Sequence, residues 1–203
     1  MALNLLKMIK PKPYSPSWSR SFSTISDIYV QAKNMRVRKA ARVLVLDPQN
    51  RVLLFEYNHE ANDALKDKGS YFTVPGGGVK PNESYTECAQ RELREETGLT
   101  IPVGTVRATR QAPLLMPSGE IVLAAEQYYN VEVDSDTAFD TSEWTAHEQK
   151  NITNLHWCAP EDLHSIVNLW PKTLPEMLVS EYLDIRSERE QIGSTVIHVD
   201  YDE

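Results

Sequence analysis

The chain is poor in cysteine. Its 203 residues contain only Cys88 and Cys158. Two scattered thiols make neither a disulfide framework nor a zinc site, which need more ligands at set spacings, so a reducing compartment is the natural reading. Long apolar runs are also missing: no stretch approaches the roughly 18 residues that span a bilayer. Basic charge is scarce too, with a formal net charge of −8. That disfavours a sequence-tolerant nucleic-acid binder, because a phosphate backbone needs Lys and Arg. An acidic protein with an anionic substrate usually needs a cation as go-between. There is no internal repeat. What remains, with 41% hydrophobic and 25% charged residues, is the composition of a globular domain long enough to bury a real core.

The charge is unevenly spread. Residues 1–38 carry seven basic side chains and one acid, a net of +6, so the remainder carries −14. This start is rich in Ser and Pro and almost free of acids, as organelle transit peptides are, and Arg20-Ser21-Phe22-Ser23 resembles a mitochondrial presequence cleavage site. A disordered basic tail is the other reading. The expected organisation is therefore an extension over 1–36, a globular domain over 37–187 and a tail over 188–203. The expected location is cytoplasmic, or mitochondrial if the extension is a transit peptide.

From Val37 the pattern is that of strands. Ala41 to Leu46 is densely apolar, Asp47-Pro48-Gln49-Asn50 is a turn, and Arg51 to Phe55 returns as the second arm of a hairpin. Residues 58–69 read as a loop that could meet substrate. A third strand near Tyr71–Val74 runs into Gly76-Gly77-Gly78. A helix is predicted over Ser84–Thr97, with Ser84 and Glu87 as a capping box and Gly98 as its stop. Strands are expected over 103–111 and 121–133 around a Pro117-Ser118-Gly119 turn. Helices are expected from Pro160 and over Pro175–Ile185, with an edge strand near Thr195-Val196-Ile197. Mixed strands with a few helices imply an α/β sandwich.

On the first helix, Glu92, Glu95 and Glu96 stand at i, i+3 and i+4 and share one face. Three carboxylates repel, and two lie in the last turn, where the helix dipole disfavours anions. Arg91 and Arg94 offset part of this. A bound divalent cation would do more, since hard cations choose oxygen ligands. A solvated acidic face is the plain alternative. Gly76, Gly77 and Gly78 weigh against it, because they let the backbone approach a ligand and offer a carbonyl.

The combination is specific. Gly77 is followed after five residues by Glu83, and after seven more by Arg91-Glu92-Leu93-Arg94-Glu95-Glu96-Thr97-Gly98-Leu99. This resembles the Nudix box at every defined position, and the flanking strands with Trp157 to Leu163 extend the likeness over about 37–185. The resemblance implies an α/β/α Nudix sandwich with a mixed sheet, the box forming a loop–helix–loop, and hydrolysis of an organic diphosphate by water attack at phosphorus. It implies Mg²⁺, or Mn²⁺, held by Glu92, Glu95 and Glu96 with the Gly76 carbonyl. It makes Glu83 and Arg91 an orienting ion pair, gives Gly77 and Gly98 structural roles, and places Leu93 and Leu99 in the core. Glu92 and Glu95 are the first candidates for general base, and Arg91 joins them as a catalytic candidate. Glu148, or else Glu143, is the candidate from a later loop. Tyr57, Tyr71, Phe72, Tyr128 and Tyr129 could stack on a base, although core packing suits most of them.

Nudix boxes report the reaction, not the substrate. The signatures of NADH and coenzyme A diphosphatases are absent. Pro113 lies one residue short of the proline that ADP-ribose enzymes often carry, and Met116 and Pro117 stand where dinucleoside polyphosphate enzymes have a tyrosine. The expected partner is a small-molecule diphosphate, with no nucleic-acid polymer and no membrane span; a homodimer is left open. The competing expectation is a non-catalytic Nudix-fold binding module.

Overall fold

The computed structural model describes residues 35–58, 69–116, 120–179 and 183–185. The basic extension up to residue 34, most of the 58–69 loop, the Pro117–Gly119 turn, the 188–203 tail and the strand expected near 195–197 lie outside the described residues.

The elements run β1 (Val37–Leu46), β2 (Val52–Tyr57), β3 (Tyr71–Thr73), β4 (Gly76–Gly78), α1 (Tyr85–Thr97), β5 (Val106–Leu115), β6 (Ile121–Glu132), α2 (Ala146–Asn151), β7 (Ile152–Cys158), a 3₁₀ turn (Pro160–Ser165), β8 (Leu169–Trp170), α3 (Leu174–Val179) and β9 (Leu183–Ile185). The sheet is mixed, in the order β8-β3-β2-β1-β6-β5-β9, with β4 added to β1 and β7 added to β2. β1 and β6 pair in parallel from Val37↔Leu123 to Leu46↔Glu132, while β5 and β6 pair antiparallel.

Each central strand is apolar on both sides because both faces of the sheet are covered. Val43, Val45, Leu53 and Phe55 face one cluster, with Cys88, Ala89 and Leu93 of α1 packed onto it. Leu44, Val52 and Leu54 face the other, with Leu163, Leu174 and Met177 from the 3₁₀ turn and α3. Helices on both faces of a mixed sheet make the expected α/β/α sandwich.

Three expectations change. The helix expected from Pro160 is one 3₁₀ turn. The helix expected over Pro175–Ile185 is described over Leu174–Val179, and Leu183–Ile185 instead pairs in parallel with the outer edge of β5. The region holding Glu148, read as a loop, contains α2. Its start, Thr145 with Glu148, is itself a complete capping box, so the signal was present in the sequence. No helix among the described residues is long and apolar enough to cross a membrane.

Candidate active site

Helix α1 is fixed at both ends. Ser84 Oγ accepts from the Glu87 amide, and the Glu87 carboxylate accepts from the Ser84 amide. Gly98 closes the helix at φ +76°, in the left-handed region. A Cβ there would also fall 2.6 Å from the Asp140 Cβ. A capping box contributes about 1 kcal/mol and burial of Leu93 about 2 kcal/mol. Like-charge pairs one turn apart cost only a few tenths each. The acidic face is therefore tolerated without a cation, and the local cost expected from the sequence is already offset by caps and packing.

That face converges on Arg91. Its Nε and Nη2 donate to the two oxygens of Glu83 at 2.7 and 3.0 Å, a bidentate pair. Nη1 donates to Glu92 Oε1 at 2.6 Å and to Glu95 Oε2 at 2.8 Å, and Nη2 also reaches the Gly78 carbonyl at 3.1 Å. The Arg91 hydrogen bonds hold the Glu83 carboxyl down at about 2. The orienting pair implied by the resemblance is present, and the same guanidinium gathers two further carboxylates.

Glu96 is 2% exposed, and its Oε2 accepts from the Gly76 amide at 2.6 Å. Burial, and then the like charge of Glu92, push its carboxyl up to about 8. Burial also raises Glu92, with Arg91 opposing. Glu95 is the most exposed of the three, with Lys80 Nζ 3.8 Å away.

The three glycines form a short strand against β1, with Gly76 opposite Arg42 and Gly78 opposite Ala40. Their need for glycine is close approach. Gly76 has φ +138°, and a Cβ there would collide with the Ala41 carbonyl; a Cβ at Gly77 would strike the Glu92 carboxylate. The Gly76 carbonyl already accepts from Arg42 Nη1 at 3.0 Å. Among the described residues no three carboxylate, imidazole or thiolate groups are assembled as an ion shell. The reason is visible: Arg91 stands between Glu92 and Glu95, while Glu96 is tied to Gly76.

A sequence model of the NUDIX domain matches residues 36–177. The chain belongs to the Nudix family. It is 23% identical over 140 residues to a prenyl-diphosphate phosphatase of Methanosarcina mazei, covering 66% of this chain and 71% of that protein. It is 29% identical over 126 residues to the CTP pyrophosphohydrolase of Escherichia coli, covering 62% and 81%. An RNA pyrophosphohydrolase of Erythrobacter litoralis is 23% identical over 159 residues, covering 74% and 93%. Among solved structures, a MutT protein from Methanosarcina mazei superposes with a TM-score of 0.52 at 19% identity, covering 71% of this chain and 91% of that one. A C. elegans Ap4A hydrolase superposes at 0.50 and 19% identity, covering 70% and 92%. At that identity the structures speak for the fold alone.

In this Nudix chain the later-loop glutamates fall in different places. The Glu148 carboxylate accepts from the Thr145 amide at 2.6 Å and lies close enough to raise the Glu96 carboxyl slightly. Glu143 is exposed and pairs with Arg94 at 2.6 Å, bridging α1 to the loop before α2. The aromatic candidates are occupied with one another and with the core. Tyr57 and Tyr71 stack at 5.1 Å, Phe72 meets His156 edge-on, and Tyr128 is fully buried with its hydroxyl on Glu126.

Several residues were not legible in the sequence. The Trp144 indole donates to the Glu96 carbonyl at 2.8 Å and so fixes the last turn of α1. On the sheet, Glu126 Oε2 accepts from Arg110 at 2.9 Å, and its Oε1 lies 3.7 Å from Arg42 Nε. Burial would raise the Glu126 carboxyl, but Arg42 and Arg110 outweigh it and hold it low. The signal for this cluster was charge inside otherwise apolar strands.

Proposed function

We propose that this Nudix hydrolase cleaves a phosphoanhydride bond in a small organic diphosphate, using Mg²⁺ or Mn²⁺ bound at Glu92, Glu95 and Glu96. The observation that carries the reading is the complete box folded as a glycine strand, a loop and a capped helix, with Glu96 bonded to the Gly76 amide and Glu92 against Gly77. The relatives named above act, by their names, on a prenyl diphosphate, CTP and RNA. Prenyl diphosphate, CTP and an RNA with a terminal triphosphate have a phosphoanhydride in common and little else, which supports the class of bond rather than a particular substrate.

The donor set fits a hard divalent cation: three carboxylates on adjacent turns, two of them pushed toward neutrality by burial. Bound there, the cation would stabilise phosphoryl charge and lower the pKa of a bound water. Glu92 and Glu95 share Arg91, so a small rotation of either carboxylate frees oxygens while Glu83 still anchors the guanidinium. Arg91 thus holds both candidate bases in place. Gly76 offers a carbonyl beside them, and its amide orients Glu96. Glu148 remains the second candidate base, because it lies within electrostatic range of Glu96 and Tyr57. A binding module without catalysis has less support, since no glutamate of the box is replaced.

The test is a panel of nucleoside triphosphates, nucleotide sugars, dinucleoside polyphosphates, isoprenyl diphosphates and RNA with a terminal triphosphate. Release of phosphate, pyrophosphate or a monophosphate from one class, with Mg²⁺ present, is expected. Silence across the panel would overturn the reading.

A further inference from the structure

Arg38 and Arg42 of β1 are four residues apart, so they share one face of the strand. Both lie over the glycine strand. The Gly76 carbonyl accepts from Arg42, and a Cβ at Gly78 would sit 3.5 Å from Arg38 Nη2. Gly77, between them, turns to the opposite side, where a Cβ would meet the Glu92 carboxylate. Three glycines thus separate a pair of guanidiniums from the carboxylates of α1.

Arg42 is compensated by nearby negative groups, Glu126 first, whereas Arg38 is not. Glu126 is shared by Arg42, Arg110 and Tyr128, and Glu92 is engaged by Arg91. Arg38 is only partly exposed, yet among the described residues it has no hydrogen bond or ion pair. Its charged form is disfavoured first by burial and then by repulsion from Arg42, which together outweigh the attraction of Glu126 and Glu92. A desolvated cation of this kind is costly until an anion meets it. A guanidinium matches an oxyanion with paired oxygens, phosphate above all.

We propose that Arg38, with Arg42 beside it, is a phosphate clamp that holds one phosphoryl group of the substrate across the glycine strand from the carboxylates of α1. The inference rests on the diphosphate reading of the same site, since it takes the missing anion to be a substrate phosphate. The carboxylates of α1 attract an anion only through a bound cation, so the guanidinium pair supplies attraction of its own.

The clamp is tested by calorimetric titration of the full chain with imidodiphosphate, a non-hydrolysable diphosphate, in Mg²⁺. Arg38→Gln is expected to weaken binding on the order of tenfold, the loss of about one charge-assisted hydrogen bond. Arg38→Lys should retain part of the affinity. KM for the hydrolysed diphosphate should rise with Arg38→Gln by more than kcat falls. In wild-type protein labelled at arginine, the Arg38 Nε–Hε resonance should move when imidodiphosphate is added, a readout that needs no variant. Equal affinity of a folded Arg38→Gln and wild type overturns the clamp, as does an unmoved Arg38 resonance or no binding by wild type. Hydrolysis that continues at wild-type KM in Arg38→Gln removes the clamp and leaves the hydrolase reading standing. Arg38-dependent binding without any hydrolysis supports the clamp and counts against the hydrolase reading.

Discussion

Two charged clusters flank the Gly76–Gly78 strand, and they are built with opposite imbalance. On α1, one guanidinium, Arg91, gathers the carboxylates of Glu83, Glu92 and Glu95. On the sheet, one carboxylate, Glu126, faces the guanidiniums of Arg42 and Arg110. The first has spare negative charge and suits a cation. The second, where Arg38 stands beside Arg42, suits an anion. A substrate made of phosphates and a cation needs one of each, and a strand without side chains is the thinnest wall that can stand between them.

The largest effect should come from the acidic side. Glu95→Gln keeps the shape but removes a charge, so activity should fall on the order of 10²–10³-fold with the fold retained, as seen by turnover alongside circular dichroism. On the basic side the outcome is reversed. Glu126 is buried with two cations, and Glu126→Gln leaves them facing each other; a cost of about 3 kcal/mol in denaturant unfolding is expected. A small effect there would mean that the two clusters are not comparable.

The imbalance also has a pH signature. In metal-free protein the Glu96 carboxyl sits near 8, against an ordinary 4.5. Between those values the native state holds a proton that the unfolded chain has released, so stability should fall as pH rises across that window. Glu96→Gln should flatten the slope, and so should saturating Mg²⁺. Glu83 behaves oppositely: its carboxyl is held near 2, so its contribution is lost as pH falls from 4.5 toward 2. The difference between wild type and Glu96→Gln in thermal midpoints at pH 5 and 8 isolates the Glu96 slope from that of Glu92, and midpoints below pH 4.5 report Glu83.

Smaller changes sharpen the picture. Trp144→Phe keeps the ring packed near Phe55 but removes the bond to the Glu96 carbonyl, and should cost about 1 kcal/mol. The exposed Arg94–Glu143 pair contributes less, so Glu143→Gln should change stability by under about 0.5 kcal/mol. Turnover should also survive it, since Glu143 sits away from the gathered carboxylates; a large loss would restore it as the general base.

The same contrast explains which parts of the molecule were legible in the sequence. The acidic cluster lies within one contiguous segment, where helix periodicity alone puts Glu92, Glu95 and Glu96 together and Ser84, Glu87 and Gly98 mark the ends. The basic cluster draws on β1, β5 and β6: Arg110 meets Glu126 across the antiparallel β5–β6 pair, but Arg42 joins them only through the parallel pairing of β1 with β6, which no local pattern encodes. Trp144 is similar: 48 residues separate it from Glu96, and nothing in the intervening chain announces the contact. β9 could not be told from a continuation of α3, because what decides it is a free edge on β5.

The most direct test of the central claim is hydrolysis of the best diphosphate in the panel by wild type and Glu96→Gln, each with Mg²⁺ and with a chelator. The account predicts turnover in wild type with Mg²⁺ alone, and close to none in the other three conditions, with Glu96→Gln still folded. Turnover that survives the chelator, or a fully active Glu96→Gln, would contradict it.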